Sequence, residues 1–183
     1  MYSQEEIIKA HGPYVPPPTA DQTFLSNSIT IIEEFPSILK AFCAQLEPSH
    51  QNACYREGGW SYRQVIHHLA DSHFQAFSRF KLALTEDNPT IKPYIQNAWA
   101  DTADSIDADI SSSLAILEGI HARWTILLKS MSAEDYNKTF HHPEQNRNLS
   151  LWQVLGLYAW HGRHHFTQIQ RHASNMGWVK TDN

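Results

Sequence analysis

Residues 61–80 read SYRQVIHHLADSHFQAFSRF, and this stretch carries the strongest helical signal in the chain. Ser61 and Gln64 have the spacing of a capping box, in which two side chains bond the free backbone N–H groups of a first helical turn. Apolar residues then recur at helical spacing on one face: Val65, Leu69, Ala76, Phe80 and Ala83. The pattern predicts a helix over residues 61–86, ended by Asn88-Pro89.

Three further helices are predicted on either side of this one. Apolar spacing indicates helices over residues 21–46, 112–129 and 150–175. The first of them contains Pro36, which is expected to kink or split it. The last begins at a second S-x-x-Q pattern, at residues 150–153. Four long helices without a clear strand pattern favour an all-α four-helix bundle.

The segments between the helices are predicted from their prolines and polar residues. Residues 1–20 contain four prolines and are predicted to be an extended Pro-rich N-terminal arm, which leaves residues 21–183 as a single bundle domain. Residues 87–106 are predicted to form a long loop, and long loops in compact domains are often functional. A short helix is expected at residues 132–136, and a loop around His141-His142-Pro143.

Composition narrows the class of protein. The chain has 183 residues, of which 42% are hydrophobic and 18% are charged, as in one globular domain. Its 14 Lys and Arg against 19 Asp and Glu give a net charge of −5, which argues against a nucleic-acid partner. There is no apolar run long enough for a membrane span, no signal peptide and no cysteine framework, so we expect a cytoplasmic protein that binds no membrane.

The chain is rich in histidine, with 12 residues, and two of them form a pattern that suggests a metal. His161 and His165 are four residues apart, so their side chains stack on one helical face. That face is also the apolar stripe of the last predicted helix, which points both imidazoles into the bundle. A pair of mutually hydrogen-bonded core histidines is the alternative interpretation.

The second predicted helix offers a third ligand. His68 lies at the edge of its apolar stripe, whereas His67 is predicted to face solvent. A polar strip shares the side of His68, and it supplies our pocket candidates: Ser72, Gln75 and Arg79. Two other histidines fall on apolar faces: His73 is expected to be a hydrogen-bonded core residue, and His121 a core or pocket residue.

Three neutral imidazoles with an open coordination position are typical of a catalytic metal site, since structural zinc sites are usually closed by a fourth protein ligand. Ligation by histidine alone suits one divalent ion per chain, zinc or else nickel, and Lewis-acid chemistry rather than redox chemistry. Such an ion could activate a water or a thiol as a nucleophile at neutral pH. A structural or sensing metal in a non-catalytic module remains the alternative.

Four strings of sequence resemble the YfiT group of the DinB superfamily. They are Tyr55 to His73, Arg79 to Glu86, Gly119 to Trp124 and Leu155 to His161, within a similarity that spans about residues 20–178. The resemblance implies a four-helix bundle, a homodimer, and a divalent ion, zinc or nickel, on His68, His161 and His165. The chain departs from the group at Gln75, where an asparagine is usual.

The resemblance also implies a metal-dependent hydrolase that acts on a small-molecule substrate. Related members are thiol S-transferases that use a low-molecular-weight thiol such as bacillithiol, which gives the first alternative; a non-catalytic dimeric module with a structural metal gives the second. No catalytic base is identified. Arg79 is the leading candidate to bind a carboxylate on the substrate or the thiol, with Arg163 and Arg63 as the other candidates.

Overall fold

The computed structural model describes residues 1–179 and consists mainly of helices. No helix within this range is both long and apolar enough to cross a membrane. The elements, in chain order, are α1 (Gln4–Lys9), α2 (Gln22–Cys43), α3 (Tyr62–Thr85), α4 (Gln96–Ala100), α5 (Ala103–Asp107), α6 (Ser111–Ser130), α7 (Ala133–Asn137), β1 (Thr139–His142), β2 (Arg147–Ser150) and α8 (Leu151–Asn175). A 3-10 turn at Pro48–Asn52 precedes α3.

The four long helices α2, α3, α6 and α8 form a bundle, which confirms the predicted all-α four-helix architecture. Helix α2 packs on α6 and α8, and α3 packs on the same two helices. The two helices that follow each other in the sequence, α2 and α3, therefore lie diagonally across the bundle. The core between the helices is apolar, and its largest fully buried side chain is Trp124.

The predicted helix starts rest on local hydrogen bonds. At α3, Gln64 N–H donates to the Ser61 hydroxyl at 3.2 Å, and Ser61 N–H donates to the Gln64 side chain at 2.9 Å. At α8 only half of the box forms, because Ser150 N–H donates to Gln153 Oε1 at 3.0 Å while the Ser150 hydroxyl has no partner among the described residues. The capping boxes therefore set where the two histidine-bearing helices begin.

Helix α2 runs unbroken through the buried Pro36, so the expected split does not occur. Proline has no N–H to donate to the carbonyl four residues earlier, which belongs to Ile32. That carbonyl accepts a hydrogen bond from Nδ1 of His121 on α6 instead, at 2.5 Å. A side chain from the neighbouring helix thus satisfies the acceptor that the proline leaves free.

The first 20 residues are not extended throughout, which corrects the predicted arm. Residues 4–9 form α1, whose Ile7 is buried in the core, and the segment packs along α8. The Arg171 guanidinium donates to the Glu6 carbonyl at 2.7 Å. A Cβ at Gly156 would overlap Tyr14, so the glycine permits this close packing. The predicted domain boundary of 21–183 thus leaves out a packed segment, and residues 180–183 lie outside the described residues.

The segment between α3 and α6 contains two short helices, α4 and α5, where we predicted a loop over residues 87–106. A β-hairpin between α7 and α8 was not predicted at all. Its strands pair Phe140 with Leu149, and both side chains are buried. Ile91 N–H donates to the His141 carbonyl at 3.1 Å, which ties the segment after α3 to the hairpin. Together, the segment after α3 and the hairpin cover one side of the bundle next to α3 and α8.

Candidate metal centre

Three histidines meet where α3 packs against α8. His68 comes from α3, and His161 and His165 come from successive turns of α8. One ring nitrogen from each residue lies within 4.8 Å of the others, and the Nε2 atoms of His68 and His161 are 3.2 Å apart. The structure thus brings together the three residues that the helical-face argument selected. The indole of Trp60, which we did not predict, covers the group with its ring centroid 4.8 Å from that of His68.

Burial keeps these imidazoles neutral. It lowers the pKa of His68 to about 3 and that of His165 to about 4. The pKa of His161 also falls well below its ordinary value, first through burial and then through the neighbouring imidazoles. Neutral imidazole is the form that binds a metal, so the site requires no proton loss near pH 7.

A chain of hydrogen bonds fixes the ring of His161. A backbone carbonyl can only accept, so His121 donates to Ile32 through Nδ1–H, and its Nε2 must then accept from Nδ1–H of His73 at 2.9 Å. The remaining nitrogen of His73, Nε2, accepts a longer bond of 3.4 Å from Nδ1–H of His161. The lone pair of His161 is therefore on Nε2, the atom that faces His68. His73 is the hydrogen-bonded core residue predicted from the sequence, and His121 is a core residue, not a pocket residue.

A second anchor fixes His165. Its Nδ1–H donates to Gln168 Oε1 at 3.0 Å, which leaves the lone pair on Nε2. The amide nitrogen of Gln168, a buried residue, donates in turn to the Ile8 carbonyl at 2.8 Å, so the N-terminal helix helps to hold this side chain. Asp71, three residues after His68 on α3, forms no hydrogen bond with any of the three histidines, whose partners are other residues.

The donor set fits a metal ion. Without an ion, Nε2–H of His68 can donate to the lone pair of His161 Nε2, whereas on a metal ion His68 would present a lone pair instead. Two nitrogens bound to a tetrahedral zinc ion by bonds of about 2.0–2.1 Å lie roughly 3.3–3.4 Å apart. The observed 3.2 Å between His68 and His161 is close to that separation. His68, His161 and His165, whose ligand nitrogens all lie within 4.8 Å of one another, could therefore hold a divalent ion.

Replacing His73 with phenylalanine should raise the dissociation constant for zinc. The substitution keeps an aromatic ring in the core but removes the acceptor that holds Nδ1–H of His161, and loss of such an outer partner costs roughly 10- to 100-fold in affinity. Titration against a chelating indicator measures the change. Tyr136→Phe, which loses a buried hydrogen bond to the Leu128 carbonyl far from the cluster, is the control. Equal affinity in the two variants would contradict the orienting role.

The prediction for His67 was wrong. It was expected to face solvent, yet it is 5% exposed. Its Nδ1 lies 2.7 Å from the Ser113 hydroxyl, and its Nε2 lies 3.2 Å from the Ala108 carbonyl. The chain between α5 and α6 buries this face of α3. The sequence of α3 alone does not indicate that another segment packs there. His67 points away from the cluster and is a structural residue.

A cavity of about 230 Å³ opens beside the cluster. His161 lines it, as do two of the three predicted pocket candidates, Ser72 and Arg79, but Gln75 does not. The Ser72 hydroxyl donates to that of Tyr158 at 3.4 Å. The segment after α3 and the hairpin add Tyr94 and His142, two residues that sequence reasoning missed because no periodic pattern marks them. The cavity gives a small molecule access to one edge of the metal centre.

The other two arginine candidates lie elsewhere. Arg63 is occupied by the carbonyls of Asp107 and Ala108, each 2.9 Å from its Nη1 atom. Arg163 is exposed and borders a different depression, between the N-terminal segment, α2 and α8. Arg79 is thus the only one of the three that lines the cavity at the cluster.

Known proteins share both the sequence and the fold of this chain. The sequence model of the DinB superfamily matches residues 31–169. A Bacillus subtilis (strain 168) protein named "Putative metal-dependent hydrolase YfiT" is 41% identical over 167 residues, which cover 91% of this chain and 94% of the relative. A Bacillus cereus (strain 03BB102) protein named "Putative metal-dependent hydrolase" is 46% identical over 157 residues, covering 86% of this chain and 90% of the relative.

Solved structures agree with the sequence matches. That of YfiT from Bacillus subtilis, described as "a probable metal-dependent hydrolase with an unusual four-helix bundle topology", has a TM-score of 0.92 and 40% identity, covering 95% of this chain and 99% of that one. A mycothiol-dependent maleylpyruvate isomerase shares the fold, with a TM-score of 0.61 and 18% identity, covering 86% of this chain and 62% of that one. The diagonal placement of α2 and α3 is in keeping with an unusual bundle topology. On the family match and the identity to these relatives, the chain belongs to the DinB superfamily.

Proposed function

We propose that this protein is a metal-dependent hydrolase of small molecules, with one divalent ion held by His68, His161 and His165. The observation that carries the proposal is the convergence of three imidazole nitrogens, two of which have their lone pairs oriented by hydrogen bonds at the opposite ring nitrogen. The names of the relatives point in the same direction. We take zinc as the first choice of ion and nickel as the second, because both are well served by imidazole.

An ion held there supplies Lewis-acid activation, which lowers the pKa of a water to about 7. The chain provides only three His, Cys, Asp or Glu ligands at this point among residues 1–179, which leaves room for solvent or substrate. Burial keeps the imidazoles neutral, and Trp60 shields His68 from solvent. Ser72 and Tyr158 place hydroxyl groups beside His161, where they can orient a polar group of the substrate.

Hydrolysis and thiol transfer can be told apart with one set of assays. We expect the zinc-loaded protein to hydrolyse small esters or amides without added thiol, and His161→Ala to lose that activity. Gln170→Ala, an exposed change on the same helix, is the matched control and should retain it.

Three results would count against the proposal. Turnover of an aryl halide or epoxide that requires bacillithiol, without any hydrolysis, would replace the hydrolase by a thiol S-transferase. Unfolding on chelation without any turnover would favour a structural metal. Hydrolysis that persists in His161→Ala would place the chemistry outside this cluster.

A further inference from the structure

The cavity beside His161 contains polar groups that the protein itself leaves without partners. Nε of Arg79, the hydroxyl of Tyr94 and Nδ1 of His142 are all buried and make no hydrogen bond with the described residues. The Tyr94 hydroxyl lies close to Ser72 but not in an acceptable hydrogen-bond geometry. All three residues line the same cavity, and His142 is only 8% exposed. Buried polar atoms normally have partners, and nine side-chain atoms of the described residues lack one. Three of the nine line this one cavity, where a single ligand could supply a partner to each of them.

The charge of Arg79 indicates the kind of ligand. No carboxylate among the described residues lies within 4 Å of its guanidinium group, although the side chain is half-buried. The carboxylate that lines the cavity, on Glu144, is exposed in the turn of the hairpin. A partly buried guanidinium without a counter-charge costs free energy that an incoming anion would offset. Its planar fork matches the oxygens of a carboxylate or a phosphate.

The other lining residues and the size of the cavity limit the part of the ligand that does not carry the charge. The rest of the lining is mainly apolar, with Pro93, Phe140, Leu149, Val154 and Leu157 beside the side chains of Gln96 and Gln145. The volume of about 230 Å³ is below the roughly 300–1,000 Å³ of pockets for drug-sized ligands.

We propose that this cavity is a substrate subsite for a small organic anion with an apolar body, whose carboxylate or phosphate binds Arg79 and Tyr94. His142 adds a neutral imidazole that can donate from Nδ1. The inference rests on the proposed function, because it names the substrate class of the same centre: a small organic acid with an apolar body.

Calorimetric titration of the zinc-loaded, full-length protein tests the subsite without relying on turnover. The probes are benzoate, phenyl phosphate and neutral benzamide, and the same titrations on metal-free protein remove any contribution from the ion. We expect one of the two anions to bind at least tenfold more tightly than benzamide. Which of them binds more tightly distinguishes a carboxylate from a phosphate subsite. Arg79→Met should weaken that anion at least tenfold, and Tyr94→Phe several-fold.

Arg147→Met is the matched control, because it removes the same charge from the nearby hairpin at an exposed position outside the cavity lining, and it should change affinity less than twofold. Equal binding of benzamide and the anions, no binding of either anion, or an unchanged affinity in both Arg79→Met and Tyr94→Phe would overturn the proposal. If Arg79→Met fails to fold, Tyr94→Phe decides. Arg79-dependent binding without any hydrolysis would contradict only the proposed function. Hydrolysis without Arg79-dependent binding would contradict only the subsite.

Discussion

His68→Ala should lower the affinity of the protein for zinc by more than the roughly 10- to 100-fold that loss of an outer-shell partner costs. The substitution removes the only ligand that α3 contributes, so the ion would be left with two imidazoles from one helix. Metal content after loading and gel filtration, measured by mass spectrometry of the elements, should fall from near one ion per chain to near none.

His67→Ala is the neighbouring control, because it removes an imidazole that points at Ser113 and away from the cluster. It should keep the ion but lose about 1–3 kcal/mol in the free energy of unfolding, since a buried hydrogen-bond partner disappears. Metal loss in His67→Ala with retention in His68→Ala would refute the assignment of the two faces of α3.

Acidification should destabilise the metal-free protein below pH 6.5, above the pH near 4 at which an ordinary carboxylate titrates. Asp71, whose pKa burial raises to about 6, acts in the opposite direction. Burial lowers the folded-state pKa of His68 to about 3 and that of His121 to about 4, whereas an unfolded histidine titrates near 6.5. The unfolded state therefore binds more protons below pH 6.5. The contribution of these neutral imidazoles to the free energy of unfolding is fully present above pH 6.5. It is lost as the pH falls towards their folded-state pKa values.

The size of this effect is large for a single domain. At pH 4.5 the titration of each of these two histidines should lower the free energy of unfolding by roughly 2–3 kcal/mol, against a typical total of about 5–15 kcal/mol. The raised pKa of Asp71 offsets part of this loss. Urea unfolding of chelated protein between pH 7.5 and pH 4.5 measures the loss. His121→Gln, which can still donate to the Ile32 carbonyl but does not titrate, should lose about 2–3 kcal/mol less over the same range. A pH dependence that begins only below pH 4.5, or is unchanged in His121→Gln, would contradict this account.

The sequence was sufficient for the bundle and for the geometry of the cluster because both depend on local periodicity. The i, i+4 spacing of His161 and His165 and the position of His68 beside an apolar stripe determine which side of each helix the ring occupies. These statements need no knowledge of the neighbouring helices. The capping box at Ser61 likewise acts within one helical turn.

The features that the sequence analysis missed depend on contacts between a helix face and segments that are distant in the chain. His67 is buried by the chain around Ala108, more than 40 residues away, and the hairpin strands are only four residues long with few apolar positions. The tautomer of His161 depends on a carbonyl of α2 that is free because of Pro36. Burial by a segment that is distant in the chain, and single hydrogen bonds of this kind, produce no periodic pattern in one sequence.

The packing of the N-terminal segment and α3 against α8 has a consequence for how the protein is made. His68 and His161 are 93 residues apart, and Gln168 bonds a carbonyl 160 residues earlier in the chain. At a synthesis rate of roughly 5–20 residues per second, about 5–20 seconds separate the two imidazoles on the ribosome. During that interval α3 is without its partner, and such non-local contacts form slowly. The three imidazoles can come together only after translation has reached α8. An ion that needs all three ligands would therefore bind the nearly complete bundle and not the early nascent chain.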